Sequence, residues 1–558
     1  MKNNIALLAI LVLFTTACKT NSDTKPDVAE PEVQEQAYFD WDAANVYFLL
    51  TDRFKNGDLS NDTIIKRERP TGVLRGFEGG DFAGVMEKIE SGYFNDLGIN
   101  AIWMTPIYEQ IHDGVDEGTG FSYGFHGYWA KDWTAVEPSL GTLEEYKLLV
   151  QKAHEKGIRV IMDVVLNHTG PVTPMDPQWP DSWVRTGPVC SYKDQSTAMT
   201  CTLTDNLPDL RTDSKEEVDL PPHLIKKWKS EGRYEQEIAE LEDFFKKSGL
   251  KRTPANYVIK WITDYARETG VDGFRVDTVK HVEQTVWQTL ADQAKRAYED
   301  YKNENQDQLL HDDEFFILGE LYGYQVSGGR EYDFGDTKVD FFDYGFDAMI
   351  SFGMKYKANV PYDVLFKTYD HYRDSLVAAN PDDTASFMNY ISSHDDGQPF
   401  DPERERAFEA GTKLLLTTGM SQVYYGDETA RSLVIPDAMG DATLRSNMNW
   451  DSISQDVLVH WQKLGKFRIA HPSVGAGNHQ ELSNDRGGVI AARTYNKNDF
   501  KDQVIIGAGL SDGNRSVKVD KVFPDAQKLT NAYTGNQLDV VDGSVNVEVQ
   551  NGVFLLEN

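Results

Sequence analysis

The sequence predicts an α/β chain. Its expected architecture is an eight-stranded (β/α)8 TIM barrel with an inserted subdomain after strand 3 and a C-terminal antiparallel β-sandwich domain. Three observations predict it. Short β-branched and apolar runs alternate with helical periodicities through most of the 558 residues, the pattern of a parallel sheet whose strands are joined by helices. The alternation breaks twice, once for a long insertion and once for period-two segments near the C-terminus. No Gly-rich dinucleotide fingerprint follows the first strand, and the run Gly118 to Gly127 is wrongly spaced for one. That favours a closed barrel over a doubly wound sheet.

In chain order, Lys2 is followed by the apolar run Ile5 to Phe14 and then by Thr15, Thr16, Ala17 and Cys18. This is too short to span a bilayer and reads as an export signal over residues 1–17. Residues 19–37 are polar and Pro-containing, as expected of a flexible tether, which is assigned to residues 18–40. Barrel strands are expected at Val46–Leu50, Ala101–Thr105, Val160–Val165, Gly273–Val276, Phe315–Leu318, Met388–Ser392 and Gln422–Tyr425, with a weaker candidate near Phe341–Phe346. Helical patterns such as Thr142–Lys156 and Ala255–Thr269 follow most of them. The barrel therefore divides into residues 41–168 and 256–470. Residues 169–255 form the insertion, in which Ile238, Leu241 and Phe245 give a charged helix one apolar face. From 471 to 558 the strands Gly488–Tyr495, Gln503–Gly507 and Ser544–Gln550 read as antiparallel, the last joined to Val553–Leu556 by the turn pair Asn551–Gly552.

Composition narrows the function. With 40% hydrophobic and 11% aromatic residues the chain can bury more than one core. Against 89 acidic residues stand 56 basic ones, a net charge of -33 that repels phosphate backbones and argues against nucleic acid as a partner. After the signal no apolar run of about 18 residues recurs, so no membrane span is expected. Of three cysteines, Cys190 and Cys201 lie eleven positions apart and would pair in an oxidising compartment. A zinc site lacks enough cysteine ligands.

The chemistry gathers where strands end. In Gly273-Phe-Arg-Val-Asp277, Arg275 and Asp277 are two apart on a strand and point the same way, with Asp277 at the carboxyl end where barrel active sites are built. The guanidinium would keep Asp277 ionised. Glu320 closes the apolar run Ile317-Leu-Gly, where desolvation would raise its pKa toward that of a general acid. Asp395 ends Tyr390-Ile-Ser-Ser-His-Asp. Three such carboxylates suit glycosidic cleavage, which needs a nucleophile, a proton donor and a group favouring an oxocarbenium-like transition state.

These segments carry a resemblance. Asp163-Val-Val-Leu-Asn-His168, Gly273–Asp277 with Lys280-His281, Gly319-Glu320 and His394-Asp395 resemble, in order, the four signature segments of the α-amylase family, glycoside hydrolase family 13. Phe125-His-Gly-Tyr-Trp129, Leu207-Pro-Asp-Leu210 and Tyr424-Tyr-Gly-Asp-Glu428 resemble its secondary motifs, so the likeness spans roughly residues 45–430. It is greatest to bacterial periplasmic and lipoprotein members, through Gly79–Phe82 and Tyr108–His112.

The resemblance implies that Asp277 is the nucleophile, Glu320 the acid/base and Asp395 the transition-state stabiliser, with Arg275 orienting the nucleophile. It implies that His126, Tyr128, His168 and His394 line the subsite of the distorted sugar, that Asp163 holds Arg275 in place, and that Lys280 and His281 reach the leaving-group side. A lone histidine in a barrel loop is usually a packing residue; four inside matching motifs point to sugar contacts. Retention of configuration follows, with the Asp277 and Glu320 carboxyls about 5–5.5 Å apart.

It also implies Ca2+. One site would use Asn56, Asp58, Asn61 and Asp62 with Gly79 and Asp81, a loop similar to that of cyclodextrin-forming members; an Asx-rich turn is the plain alternative. A second would join Asn167, Asp209 and the backbone carbonyl of His281. Cys18 after a small residue resembles a bacterial lipobox, with Thr15 where Leu is usual, so a lipid anchor and an ordinary secretory signal both stay open. Lys19 in place of Asp favours the outer membrane. The expected activity is retaining endo-hydrolysis of α-1,4-glucans, with an α-glucan or maltooligosaccharide as partner. The alternatives are a transglycosylase of the same family and a non-catalytic glucan-binding lipoprotein.

Overall fold

The run Asn-Val-Tyr-Phe-Leu is buried along its whole length and forms strand β1 (Asn45–Leu49), as expected of a strand covered on both faces. The computed structural model describes residues 38–306, 309–380, 385–497 and 499–558. The export segment and the tether up to residue 37 lie outside the described residues. Seven further parallel strands follow: β2 (Ala101–Met104), β3 (Arg159–Val164), β4 (Gly273–Val276), β5 (Phe316–Gly319), β6 (Ala348–Ser351), β7 (Ser386–Asn389) and β8 (Met420–Tyr424). Each pairs with the next, and β8 pairs with β1 to close the barrel. At the β4–β5 seam Gly273 is required, because a Cβ there would lie 2.4 Å from the Phe316 carbonyl oxygen.

Local chemistry sets the helices. Thr142 and Glu145 form a capping box at the start of Leu143–Glu155. Helix Pro254–Thr269 begins with the Thr253 cap and a proline in its first turn, and stops at Gly270, whose φ is 70°. The inserted segment holds helices Pro222–Glu231 and Tyr234–Ser248. The latter buries Leu241 and Phe245 as expected, whereas Ile238 is only half-buried and Glu237 is buried instead. Arg233 pairs with that glutamate. Cys190 and Cys201 are joined by a disulfide.

Three expectations are corrected. Residues Phe341–Tyr344 form a 3-10 turn, not the sixth strand. Asp340 accepts from the Phe342 amide and Gly345 takes φ 95°, so the chain cannot extend until Ala348. β7 lies two residues earlier than expected and ends at Asn389. Asp395 is therefore on a loop beyond it. In the C-terminal domain, Asn551 and Gly552 do make a turn with positive φ values of 51° and 72°, closed by an antiparallel bridge between Gln550 and Val553, yet beyond that bridge the strands they join part into different sheets. Phe554–Glu557 enters a six-stranded antiparallel sheet between Phe500–Ala508 and Lys528–Asn531. Ser544–Val549 pairs with Gly513–Lys518 in a second sheet. Ile505, Val517, Val547 and Leu556 fill the core between the two sheets. The side chains alternate inward along each strand, and each strand satisfies a different sheet. Among the described residues, no helix is long and apolar enough to cross a membrane.

Candidate active site

Barrel register places the central charges. Arg275 on β4 lies opposite Asp163 on β3 in the ladder, so both side chains point into the barrel mouth. Arg275 Nη1 donates to Asp163 Oδ1 at 2.8 Å and to Asp277 Oδ1 at 2.9 Å, and its Nη2 lies 3.7 Å from Glu320 Oε2. One guanidinium thus reaches three carboxylates. Asp277 follows β4 directly and Glu320 follows β5 directly; both are buried. Thr278, in the left-handed region with φ 50°, turns its amide to Glu320 Oε2 at 2.8 Å. Burial, with Asp277 and Asp395 adding to it against Arg275, pushes the Glu320 carboxyl up to about 8. Asp395 is the open member of the trio, its side chain 37% exposed, with Oδ1 3.8 Å from His394 Nδ1.

The aromatic wall follows. Tyr128 donates its hydroxyl to Asp163 Oδ2 at 2.8 Å. Its ring stacks beside His394 at 5.3 Å and beside His126 at 5.8 Å. Burial, with Arg445 next in weight, pushes both His126 and His394 well below the ordinary histidine range, so both are neutral imidazoles able to donate and accept. His168 Nε2 meets the Tyr128 carbonyl at 3.1 Å, while its Nδ1 is buried without a hydrogen-bond partner. Lys280 donates to the Tyr322 carbonyl at 3.3 Å and lies over the Tyr322 ring. His281 turns toward the inserted segment, its Nδ1 2.8 Å from the Ala198 carbonyl and its ring against Tyr192.

A model of the α-amylase catalytic domain matches residues 48–463, three quarters of the chain. The chain belongs to the α-amylase family. Relatives agree with this. A periplasmic α-amylase of Escherichia coli is 32% identical over 81% of this chain and 70% of its own length. A cyclomaltodextrin glucanotransferase of Thermoanaerobacterium thermosulfurigenes is 24% identical over 87% of this chain and 62% of its own. An α-amylase of Geobacillus thermoleovorans, solved with acarbose, superposes with a TM-score of 0.64 at 22% identity, covering 93% of this chain and all of that one. The family assignment makes the chain a glycoside hydrolase by class.

In this α-amylase-family chain the two candidate calcium loops differ in how well they are satisfied internally. Asp81 caps helix Phe82–Glu90, accepting from the Gly84, Gly57 and Asp58 amides and from Asn61 Nδ2. Asn56 Nδ2 donates to Asp62, leaving Asn56 Oδ1 and Asn61 Oδ1 buried without partners. Gly79 is needed beside them for its φ of 90°, and a Cβ there would also crowd Asn56 Nδ2 at 2.4 Å. Asp58 is apart from this group, accepting from the Ser60 amide at the surface. At the second loop Asn167 Nδ2 donates to Asp209 Oδ1 at 3.2 Å, and burial pushes the Asp209 carboxyl up to about 7. Among the described residues no three His, Cys, Asp or Glu side chains cluster as a metal site. The oxygens come from amides with two carboxylates at the first loop and from an amide with one carboxylate at the second, as suits calcium.

Sequence reasoning missed several partners. Trp103 Nε1 donates to Asp163 Oδ2 at 2.9 Å, although Ala-Ile-Trp-Met reads only as a core strand. Arg445 Nε donates to the His394 carbonyl at 2.9 Å from fifty-one positions away. Lys355, Tyr390 and Asp396 form a group beside Asp395. The doubled acid at 395–396 was a visible signal for that group; no local pattern marked Arg445.

Proposed function

We propose that this protein is an endo-acting α-1,4-glucan hydrolase that retains anomeric configuration. The observation that carries this reading is the single Arg275 guanidinium set against Asp277 and Glu320, with Glu320 holding its proton near neutral pH. Asp277 attacks the anomeric carbon as the glycosidic C–O bond breaks, and the leaving oxygen takes the Glu320 proton. Water then gives its proton to Glu320 as its oxygen displaces Asp277, which restores both groups. Asp395 faces the developing positive charge on the ring. His126, Tyr128 and His394 offer a flat wall to the sugar, and the free His168 Nδ1 supplies a hydrogen-bonding group. Lys280 stands on the leaving-group side; for His281 the bond to Ala198 supports a role in tying the insertion to the barrel.

The residues fit calcium at two places. Asn56 and Asn61, with their unpartnered oxygens, would bind it together with Asp62 and Asp81; Asn167, Asp209 and the His281 carbonyl would form the other site. The ion when bound supplies positive charge that offsets buried carboxylates and fastens loops. The export signal, the Cys190–Cys201 disulfide and the periplasmic relative support an extracytoplasmic location; the residues around Cys18 and Lys19 support a lipid anchor in the outer membrane, with a tether that ends before Tyr38, whose ring stacks on Phe500. The transferase relatives favour a second reading, transglycosylation at the same site. A timed product profile on soluble starch and maltodextrins tests both. Linear maltooligosaccharides of the α-anomer are expected, cyclic or elongated products would assign transfer, and binding without turnover would remove both.

A further inference from the structure

Beside the catalytic carboxylates and Asp163 lies one more acid. One residue past Asp395, the Asp396 side chain is 11% exposed and pairs through Oδ1 with the Lys355 ammonium, itself 4% exposed. Its Oδ2 accepts from the Tyr390 hydroxyl at 2.5 Å. Lys355 sits on the short helix Met354–Lys357 that follows β6, so the pair fastens the loop after β6 to the loop after β7. Asp395 is held by little of its own, its carboxylate 3.8 Å from His394 Nδ1, beyond hydrogen-bond length. Its place at the ring depends on the backbone, which Arg445 fastens at the His394 carbonyl on one side and Asp396 fastens on the other. A buried acid without its ammonium would also add an uncancelled negative field to a cluster already crowded with carboxylates.

We propose that Lys355 is a positioning residue for the reaction, which through its buried ion pair with Asp396 holds Asp395 toward the sugar and cancels a negative charge that would otherwise act on Glu320. This rests on the roles proposed above for Glu320 and Asp395. Glu320 is faced by Arg275 and Asp277 from β4 and its end, by Lys280 from the turn beyond, by Asp395 from the β7 loop and by the Tyr390 hydroxyl. Asp396 is faced by Lys355, Tyr390 and, from the β5 loop, Tyr322.

The test is the pH dependence of kcat and kcat/KM on a maltooligosaccharide, with melting temperature measured alongside. Lys355→Met is expected to lower kcat about tenfold with little change in KM, and to move the alkaline limb upward by roughly half a pH unit, because an exposed negative field holds the Glu320 proton more tightly. Asp396→Asn leaves Lys355 uncancelled and is expected to move the limb downward. The double variant returns it to the parental position. A part played only by packing would change rate or stability without opposite displacements. An unmoved limb in both single variants, displacement of both in one direction, or a loss confined to KM would overturn the proposal. If Lys355→Met does not fold, Asp396→Asn and the double variant carry the same test. The reading of Glu320 fails separately, if Glu320→Gln keeps the parental rate.

Discussion

Replacing Glu320 by Gln separates proton donation from the other work of that side chain. The Gln carbonyl oxygen can accept the Thr278 amide that Glu320 Oε2 now accepts at 2.8 Å, so the loop is expected to keep its shape. What disappears is the proton. Because burial pushes Glu320 up to about 8, the acid is about nine-tenths protonated at pH 7 and about one-tenth at pH 9. The parental kcat/KM should therefore fall roughly tenfold between those values, and the variant should lack that limb. On a maltooligosaccharide, whose alkoxide leaves poorly without a proton, kcat should fall by about 10²–10⁴. A dinitrophenyl maltoside is the control, since its phenolate leaves unaided; the burst of phenolate in the variant should stay near the parental rate. Equal losses on the two substrates would refute the assignment of Glu320 as proton donor.

Arg275→Lys replaces a planar fork that touches Asp163, Asp277 and Glu320 with a single point charge. A loss of about a hundredfold in kcat is expected with an unchanged far-ultraviolet circular dichroism spectrum; unaltered kcat would remove the guanidinium from the mechanism. Stripping metal with EDTA should lower both melting temperature and rate, and Asp209→Asn should reduce the stabilisation by added Ca2+. Unchanged melting after verified metal removal counts against both loops. At the junction of barrel and C-terminal domain, burial disfavours the His471 imidazolium, but Asp502 and Glu557, each 2.8 Å away, more than offset it and raise its pKa from 6.5 to about 9. A raised value stabilises fully below about 6.5 and is lost as pH climbs through about 9, up to about 3 kcal/mol. Urea unfolding at pH 7 and pH 10 should show that loss in the parent and little of it in His471→Gln.

The sequence made legible whatever depended on neighbours along the chain. Asp277 and Glu320 close short apolar runs, and runs of that length with helices between them form a parallel barrel, so their place followed from periodicity. Asp395 was found by motif but put at a strand end, because Met388–Ser392 looks as extended as the strand that actually forms two residues earlier. The sixth strand was missed for a related reason. Phe341–Phe346 is the more apolar stretch, yet the Asp340 cap and Gly345 turn it before the less conspicuous Ala348–Ser351 can pair. The Asn551–Gly552 turn was read correctly and the sheet of each arm was not legible, since turn chemistry fixes a reversal and not which sheet each arm joins. Contacts such as Trp103 with Asp163 and Arg445 with the His394 carbonyl span sixty and fifty-one positions. No periodicity encodes them; they exist only once the barrel has closed.

That dependence gives the Arg275–Asp163 pairing across β3 and β4 a practical meaning. A slip of one rung between these strands would swing Phe274 inward and Arg275 outward, leaving helix content and overall size nearly as before. Enzyme turnover is thus a more exacting gauge of correct barrel assembly than any spectroscopic measure of secondary structure. Refolding yields for this chain are best counted in units of activity.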